Sequence, residues 1–140
     1  MWGINLLKGL AVTLKHLFKR KVTIQYPEEK IIHPERFRGI QHLDRETCIV
    51  CNQCVRICPT GAISLTGKPN PDPEKKGKVL DTYQIKFGQC ILCDLCTEVC
   101  PTDSLKMTNN YELAVYNKDK LDKDIDWLGQ NTENLREENE

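Results

Sequence analysis

The sequence predicts an α+β fold made of two similar halves, with an amphipathic helix before them and an acidic tail after them. Three observations support this prediction. The 140 residues fit one domain on the rough prior of about 150 residues per domain. One cysteine pattern occurs twice. Hydrophobic residues, counted with the eight cysteines, make up only 39% of the chain, so a link other than an apolar core is expected to hold the halves together.

The eight cysteines form two copies of one motif. Each copy has the spacing C-x2-C-x2-C-x3-C-P-T, and the copies begin at Cys48 and Cys90, 42 residues apart. Seven of the 13 aligned positions are identical. This is the known spacing of bacterial proteins that carry two iron–sulfur clusters. The motifs therefore predict two [4Fe–4S] clusters.

The spacing within each motif has a physical reason. Thiolates at positions i, i+3 and i+6 let a short loop wrap one cubane while the loop's N–H groups face the sulfurs. In the two-cluster arrangement, the fourth cysteine serves the other cluster. We therefore expect eight metal ligands in two crossed sets. The first cluster takes Cys48, Cys51, Cys54 and Cys100, and the second takes Cys90, Cys93, Cys96 and Cys58.

Two other uses of the cysteines are weighed against clusters. Disulfides need an oxidising compartment, and the charges of Lys8 and Lys15 interrupt any signal-peptide core in residues 1–20. Zinc is bound by four ligands from two C-x2-C pairs, which leaves the third cysteine of each motif without a role. The sequence therefore favours clusters over both alternatives.

Short apolar segments flank both motifs and predict strands at 40–43, 63–65, 83–87 and 105–107. A short helix is expected between each third cysteine and the strand that follows it. Together these elements predict a two-[4Fe–4S] ferredoxin-like domain with a pseudo-two-fold repeat at residues 40–116. Residues 67–78 contain three prolines and two glycines, so they are expected to form an exposed loop without regular structure.

Aliphatic residues at matching offsets are expected to keep the clusters dry, and packing in the core is the alternative role for them. They are Ile49, Ile57, Ile63 and Leu65 in the first half, and Ile91, Val99, Leu105 and Met107 in the second.

Charge is unevenly distributed along a chain whose net charge is zero. Residues 1–38 carry eight basic and three acidic side chains (net +5), residues 39–116 carry eight and nine (net −1), and residues 117–140 carry four and eight (net −4). The zero net charge argues against nucleic acid as a partner. We predict three segments: 1–39 for docking, 40–116 for the clusters and 117–140 as an acidic extension.

Residues 2–20 have the pattern of an amphipathic helix. On a helical wheel, Leu6, Leu10 and Leu14 share an apolar arc with five other residues, whereas Lys8 and Lys15 lie outside it. A basic amphipathic helix of this kind lies in a headgroup layer or docks on a membrane subunit. No apolar run reaches the roughly 18 residues that a membrane span needs. The alternative is a helix packed on its own domain.

Residues 36–39, with the sequence Arg-Phe-Arg-Gly, precede the first predicted strand. The two arginines are expected either to pair with carboxylates of a neighbouring subunit or to lie near the negative charge of a cluster. The alternative is a solvated turn that ends at Gly39. His16, His33 and His42 show no ligand spacing, so we predict no metal-binding role for them.

The chain resembles the two-cluster subunit of respiratory complex I, subunit I of NADH–quinone oxidoreductase. The resemblance covers roughly residues 5–128. It rests on both cysteine runs and on the segments 9–18, 22–27, 36–39 and 111–114. The Pro-rich loop is long for the family, and the tail past Leu128 has no clear counterpart in it.

The resemblance implies an electron-transfer subunit without bond-making catalysis of its own. Electrons would pass through both [4Fe–4S] clusters toward a terminal cluster and quinone. The implied partners are the other subunits of the peripheral and membrane arms, and the implied location is the cytoplasmic side of the cell membrane, held peripherally. Three alternatives stay open: the equivalent subunit of a ferredoxin- or deazaflavin-dependent quinone oxidoreductase, that of a membrane-bound hydrogenase, or a diffusible two-cluster ferredoxin.

Overall fold

The computed structural model describes residues 2–34, 36–71 and 77–132, which divide into two compact units, Met1–Ile32 and His33–Glu140. The first unit contains helix α1 (Trp2–Leu17). Its last turn carries Lys15 and His16, which places basic groups at the negative end of the helix dipole. In the described part of the chain, no helix is both long and apolar enough to cross a membrane.

The second unit mixes short helices with antiparallel strands. In chain order its elements are β1 (Gln41–Leu43), α2 (Gln53–Ile57), β2 (Ile63–Pro69), β3 (Lys78–Lys86), α3 (Leu95–Glu98), β4 (Leu105–Met107), a 3-10 helix (Lys118–Leu121), β5 (Asp122–Asp124) and α4 (Ile125–Gln130). The four predicted strand positions are all occupied by strands, and a short helix lies in each cysteine motif. The mixed helix and strand content therefore confirms the α+β class.

The strands connect the two halves of the sequence. Strand β1, before the first motif, pairs antiparallel with β4, after the second motif; β2, after the first motif, pairs with β3, before the second. Gln41 lies opposite Met107 in one pair, and Leu65 lies opposite Tyr83 in the other. Each half therefore completes its sheet with a strand from the other half.

The apolar core lies between these strand pairs. Ile40, Leu80 and Ile85 are at most 1% exposed, and the side chain of Cys96 belongs to the same buried cluster. Tyr83 and Ile85 of β3 are buried two positions apart, as the period of a half-buried strand requires. Leu80 is buried three positions before Tyr83, across the shift in register with β2. The core thus packs directly against the cysteine motifs.

The prediction of an irregular loop at 67–78 is wrong at both ends. Strand β2 continues to Pro69, which pairs with Lys78 at the start of β3. Proline is tolerated there because β2 lies at the edge of its sheet, where one side of the strand needs no ladder hydrogen bonds. The register shifts between Thr66 and Gly67, as a β-bulge does. Residues 72–76 lie outside the described part.

The described C-terminal residues pack against the rest of the second unit and do not extend away from it. Strand β5 pairs with β3, and Leu128 of α4 is 0% exposed in the core. His42 Nδ1 lies 3.1 Å from the carbonyl oxygen of Leu128. The prediction that an acidic extension begins at residue 117 therefore does not match the structure. Apolar side chains that lie between the acidic ones, such as Leu128, are buried in the core. Residues 133–140 lie outside the described part.

The N-terminal boundary also differs from the prediction at residue 39. The compact unit begins at His33, whose ring stacks on Phe37 at 3.9 Å between ring centroids. Gly39 follows, and a Cβ atom there would collide with the backbone carbonyl oxygens of Thr108 and Asn110. Only glycine permits this close approach of two backbones.

We predict that Leu128→Ala destabilises the chain by about 2–5 kcal/mol, because it leaves a cavity in the core. The measurement is loss of far-UV circular dichroism in anaerobic thermal scans at one scan rate. Leu17→Ala, at a position 74% exposed, is the matched control and should unfold close to the parent temperature. Equal effects of the two substitutions would contradict the burial of the C-terminal helix.

Candidate iron–sulfur site

Left-handed backbone positions shape both cysteine loops. Val50 and Asn52 have φ of 56° and 60° in the first motif, and Leu92 and Asp94 have φ of 51° and 75° in the second. Positive φ is uncommon in residues other than glycine, yet the two loops adopt it at the same offsets. Alternation of left-handed with ordinary residues makes backbone concavities whose N–H groups bind anions, which suits clusters of thiolate and sulfide.

In the first motif, Cys54 contacts a buried tyrosine. The hydroxyl of Tyr83 donates a hydrogen bond to Cys54 Sγ at 3.7 Å, and the Tyr83 side chain is only 2% exposed. Burial raises the pKa of Cys54, the Tyr83 hydrogen bond works against that rise, and the nearby Cys48 and Cys51 add to it. The first three cysteines of the motif are thus close enough to interact electrostatically.

In the second motif, the corresponding contact comes from a buried amide. Gln41 Nε2 lies 3.9 Å from Cys90 Sγ and 4.0 Å from Cys96 Sγ. Burial raises the pKa of Cys96 to about 12, with further contributions from Cys90, Cys54 and Cys93. As a free thiol, Cys96 is therefore protonated at neutral pH, and a bound metal is needed to stabilise its thiolate.

The fourth cysteines have a different environment. Burial acts to raise the pKa of Cys58, but hydrogen bonds from Thr60 and from backbone N–H groups including that of Ala62, 3.3 Å away, outweigh it and lower the pKa. The same balance lowers the pKa of Cys100, whose Sγ lies 3.2 Å from Ser104 Oγ. Both thiols therefore lose their proton more easily than an ordinary cysteine, which favours the thiolate form that binds metal.

Arg38 connects the segment before β1 to the second loop. Its Nε lies 3.8 Å from Asp94 Oδ2, and the Asp94 side chain is 14% exposed. Arg38 therefore lies near a carboxylate of its own chain, in the second cysteine loop; its pairing with a neighbouring subunit stays a prediction.

The aliphatic residues expected to shield the clusters differ in burial. Ile63, Leu105 and Met107 are at most 5% exposed, whereas Leu65 and Val99 are half-buried. Three others lie on the surface, where the prediction is wrong: Ile49, Ile57 and Ile91 are 55%, 41% and 62% exposed.

The donor set fits iron–sulfur clusters. All eight cysteines are free thiols, and backbone and side-chain donors face several of the sulfurs. Among the residues that the structure describes, no three Cys, His, Asp or Glu side chains form a group that could hold a metal ion.

A family model described as the 4Fe–4S dicluster domain matches residues 47–104. NAD(P)H-quinone oxidoreductase subunit I of Prochlorococcus marinus (strain MIT 9303) is 49% identical over 124 residues, 89% of this chain and 56% of that protein. The chloroplastic subunit I of Chlorokybus atmophyticus is 50% identical over 122 residues, 87% of this chain and 69% of that protein. The chain belongs to the NAD(P)H-quinone oxidoreductase subunit I family.

The dicluster match confirms that two [4Fe–4S] clusters are the cofactors of this subunit I family member. A solved chain in the structure of the membrane-bound sulfane sulfur reductase, an archaeal respiratory membrane complex, is also similar, with a TM-score of 0.56 and 35% identity. That similarity covers 79% of this chain and 56% of the solved one. The chain also spans only 56% of the length of its Prochlorococcus relative.

Sequence reasoning assigned no role to several residues that contact the cysteines, among them Gln41, Tyr83 and Ser104. A signal was nevertheless present, because Gln41 and Tyr83 each lie seven positions before the first cysteine of a motif. Ser104 occupies the position that Ala62 holds in the first half, 42 residues earlier.

Proposed function

We propose that the eight cysteines hold the two clusters in crossed sets. Cys48, Cys51, Cys54 and Cys100 bind the first cluster, and Cys90, Cys93, Cys96 and Cys58 bind the second. Support comes from the electrostatic interaction among the first three cysteines of each motif and from the hydrogen bonds that lower the pKa of both fourth cysteines. The strand pairs support the crossing, because each half already lends a strand to the other.

The crossing accords with a pseudo-two-fold repeat, which we also propose. Adding 42 to the first member of the pair Gln41–Met107 gives 83, and subtracting 42 from the second gives 65, which is the pair Tyr83–Leu65. The same operation converts Leu43–Leu105 into Ile85–Ile63. The two antiparallel pairs thus have equivalent registers, which supports a repeat that interchanges the halves.

The function that the site supports best is electron relay within a complex I-type NADH:quinone oxidoreductase. The chain passes electrons through its two clusters toward the terminal cluster and quinone, as a subunit of the enzyme. The observation that carries this proposal is the pair of four-cysteine motifs in one compact unit of a subunit I family member. Electron transfer needs no bond chemistry from protein side chains, so clusters and their surroundings are sufficient.

We place the chain at the cytoplasmic face of the cell membrane as a peripheral subunit, with residues 1–39 for docking. The apolar residues of α1 support this location, because Leu6, Leu7, Leu10 and Leu14 are all at least 55% exposed. Lysines outside the apolar arc suit an anionic headgroup layer. The partners are other subunits of the peripheral and membrane arms, for which the exposed Ile49 and Ile91 provide apolar contact points beside the clusters.

The second candidate is the equivalent subunit of a related membrane complex with another electron donor. The similarity to a chain of the archaeal sulfane sulfur reductase structure favours this candidate. Both candidates use the same two clusters, so the donor separates them.

The test of function is anaerobic purification of the intact complex through a tag on this chain. We expect other subunits to copurify and NADH to reduce both clusters, as seen by electron paramagnetic resonance (EPR). Reduction by reduced ferredoxin but not by NADH would select the second candidate. A chain that purifies alone and stays in the soluble fraction after a low-salt wash would contradict both and indicate a diffusible ferredoxin.

The crossed ligand sets predict that Cys58→Ala damages the cluster held by Cys90, Cys93 and Cys96, although Cys58 follows the first motif in sequence. EPR of the reduced full chain should lose most of one [4Fe–4S] signal. Cys93→Ser, as a matched variant in the second motif, should alter the same signal, and Cys51→Ser should alter the other. If Cys58→Ala and Cys51→Ser alter the same signal, the sets are not crossed.

The docking role of α1 predicts that Leu10→Glu weakens binding to vesicles that contain phosphatidylglycerol by at least about tenfold, because a buried leucine contributes roughly 1.5–3 kcal/mol. Cosedimentation of the full chain with its clusters measures this binding. Thr13→Glu introduces the same charge outside the apolar arc, and it should weaken vesicle binding less than Leu10→Glu does. Equal losses would mean that net charge, not the apolar face, drives binding.

A further inference from the structure

Gln41 and Tyr83 occupy equivalent positions in the two halves. They lie 42 residues apart, the same interval that separates Cys48 from Cys90. Both side chains are buried, at 1% and 2% exposure. Each is a polar residue in a strand whose other inward residues are mainly aliphatic, so both positions depart from the rule that buried side chains are apolar.

The two side chains reach across to the opposite motif. Gln41, from the first half, directs Nε2 toward Cys90 and Cys96 of the second motif, at 3.9 and 4.0 Å. Tyr83, from the second half, donates its hydroxyl to Cys54 of the first motif at 3.7 Å. The strand exchange explains the reversal, because β1 pairs with β4 and β3 pairs with β2.

Packing alone does not account for Gln41. Its Oε1 is buried and has no hydrogen-bond partner among the described residues, and an unsatisfied buried acceptor costs roughly 1–3 kcal/mol. A leucine would fill a similar volume without that cost. Glutamine differs from leucine here in having an amide N–H group, and this N–H group faces the sulfur atoms of Cys90 and Cys96.

We propose that Gln41 and Tyr83 are positioning residues that set the reduction potentials of the two clusters separately, each for the cluster of the opposite motif. One-electron reduction adds one negative charge to a cluster and its ligand sulfurs and forms no bond. A hydrogen-bond donor to those sulfurs stabilises the reduced form more than the oxidised form, so it raises the potential. The assignment of each contact to a cluster rests on the proposed cysteine ligands, but not on the crossing of Cys58 and Cys100.

The test is an EPR-monitored redox titration of the full chain carrying about eight iron atoms. Gln41→Leu should lower the potential of the second cluster alone, and Tyr83→Phe that of the first alone. The expected size is up to about tenfold in the ratio of reduced to oxidised cluster at a fixed potential, which is about 59 mV for one electron. Shifts below about twofold, or ~18 mV, for both variants would overturn the proposal.

Cys51→Ser and Cys93→Ser assign the two signals to the two motifs. If these variants do not each alter a different signal, the ligand assignment fails. If they do and Gln41→Leu shifts the first cluster, or both clusters equally, the positioning role fails. Thr108→Val is the matched control, since Thr108 is fully buried and its hydroxyl bonds to the Ile40 carbonyl oxygen, not to sulfur. It should leave both potentials unchanged.

A second measurement tests the contact of Gln41 in the parent chain directly. In the parent chain, labelled with ¹⁵N in glutamine side-chain amides, pulsed EPR of the reduced second cluster should detect a coupled amide nitrogen. Gln41→Met, which keeps a flexible side chain without a donor, should lose this coupling. No coupling in the parent chain would overturn the role of Gln41 even if both variants failed to hold their clusters.

Discussion

The constraint on which the structure depends is the free-energy cost of burying negatively charged cysteine thiolates. Cys96 lies in the apolar core, where burial raises its pKa to about 12, so its charged form is unfavourable unless iron compensates it. Metal binding to such a site is coupled to folding, because the thiolates are brought together only in the folded chain. The clusters therefore act as part of the core of a chain whose apolar content is low. The loops reflect the same constraint, since their left-handed backbone at Val50 and Leu92 forms concavities of the kind that bind anions.

The exchange of strands connects the two halves of the second unit. Strand β1 has its partner in the second half and β3 has its partner in the first, so neither half has a complete sheet of its own. The C-terminal segment adds to this connection. Strand β5 extends the sheet beyond β3, and Trp127 packs edge-on against Phe87 with ring centroids 6.3 Å apart. The exchange also explains why residues distant in sequence, such as Gln41 and Cys96, meet at one site.

The sequence predicts the cofactor and the strand positions well, because both depend on the spacing of residues that are close together in the chain. Three cysteines at every third position strongly indicate an iron–sulfur cluster, and the short apolar runs that flank them predict strands. What it did not predict depends on contacts distant along the chain. Leu128 is buried within an acidic segment, and Pro69 lies in a strand because that strand is at the edge of its sheet. Gln41 is similar: its polarity is visible in the sequence, but the sulfurs that it faces are 49 and 55 residues away.

Two clusters with almost the same ligand motif face a functional problem, because directed electron flow benefits from unequal potentials. Seven of 13 motif positions are identical, so the inequality arises from the six that differ and from residues around the motifs. Two pairs of equivalent positions outside the motifs differ in the groups that they direct toward sulfur. A phenol at Tyr83 corresponds to an amide at Gln41, and the hydroxyl of Ser104, 3.2 Å from Cys100, corresponds to the methyl group of Ala62. Under the proposed ligand sets, both hydroxyls serve the first cluster and the single amide serves the second. Hydrogen bonds to sulfur raise the potential, so these residues bias the first cluster toward the higher value.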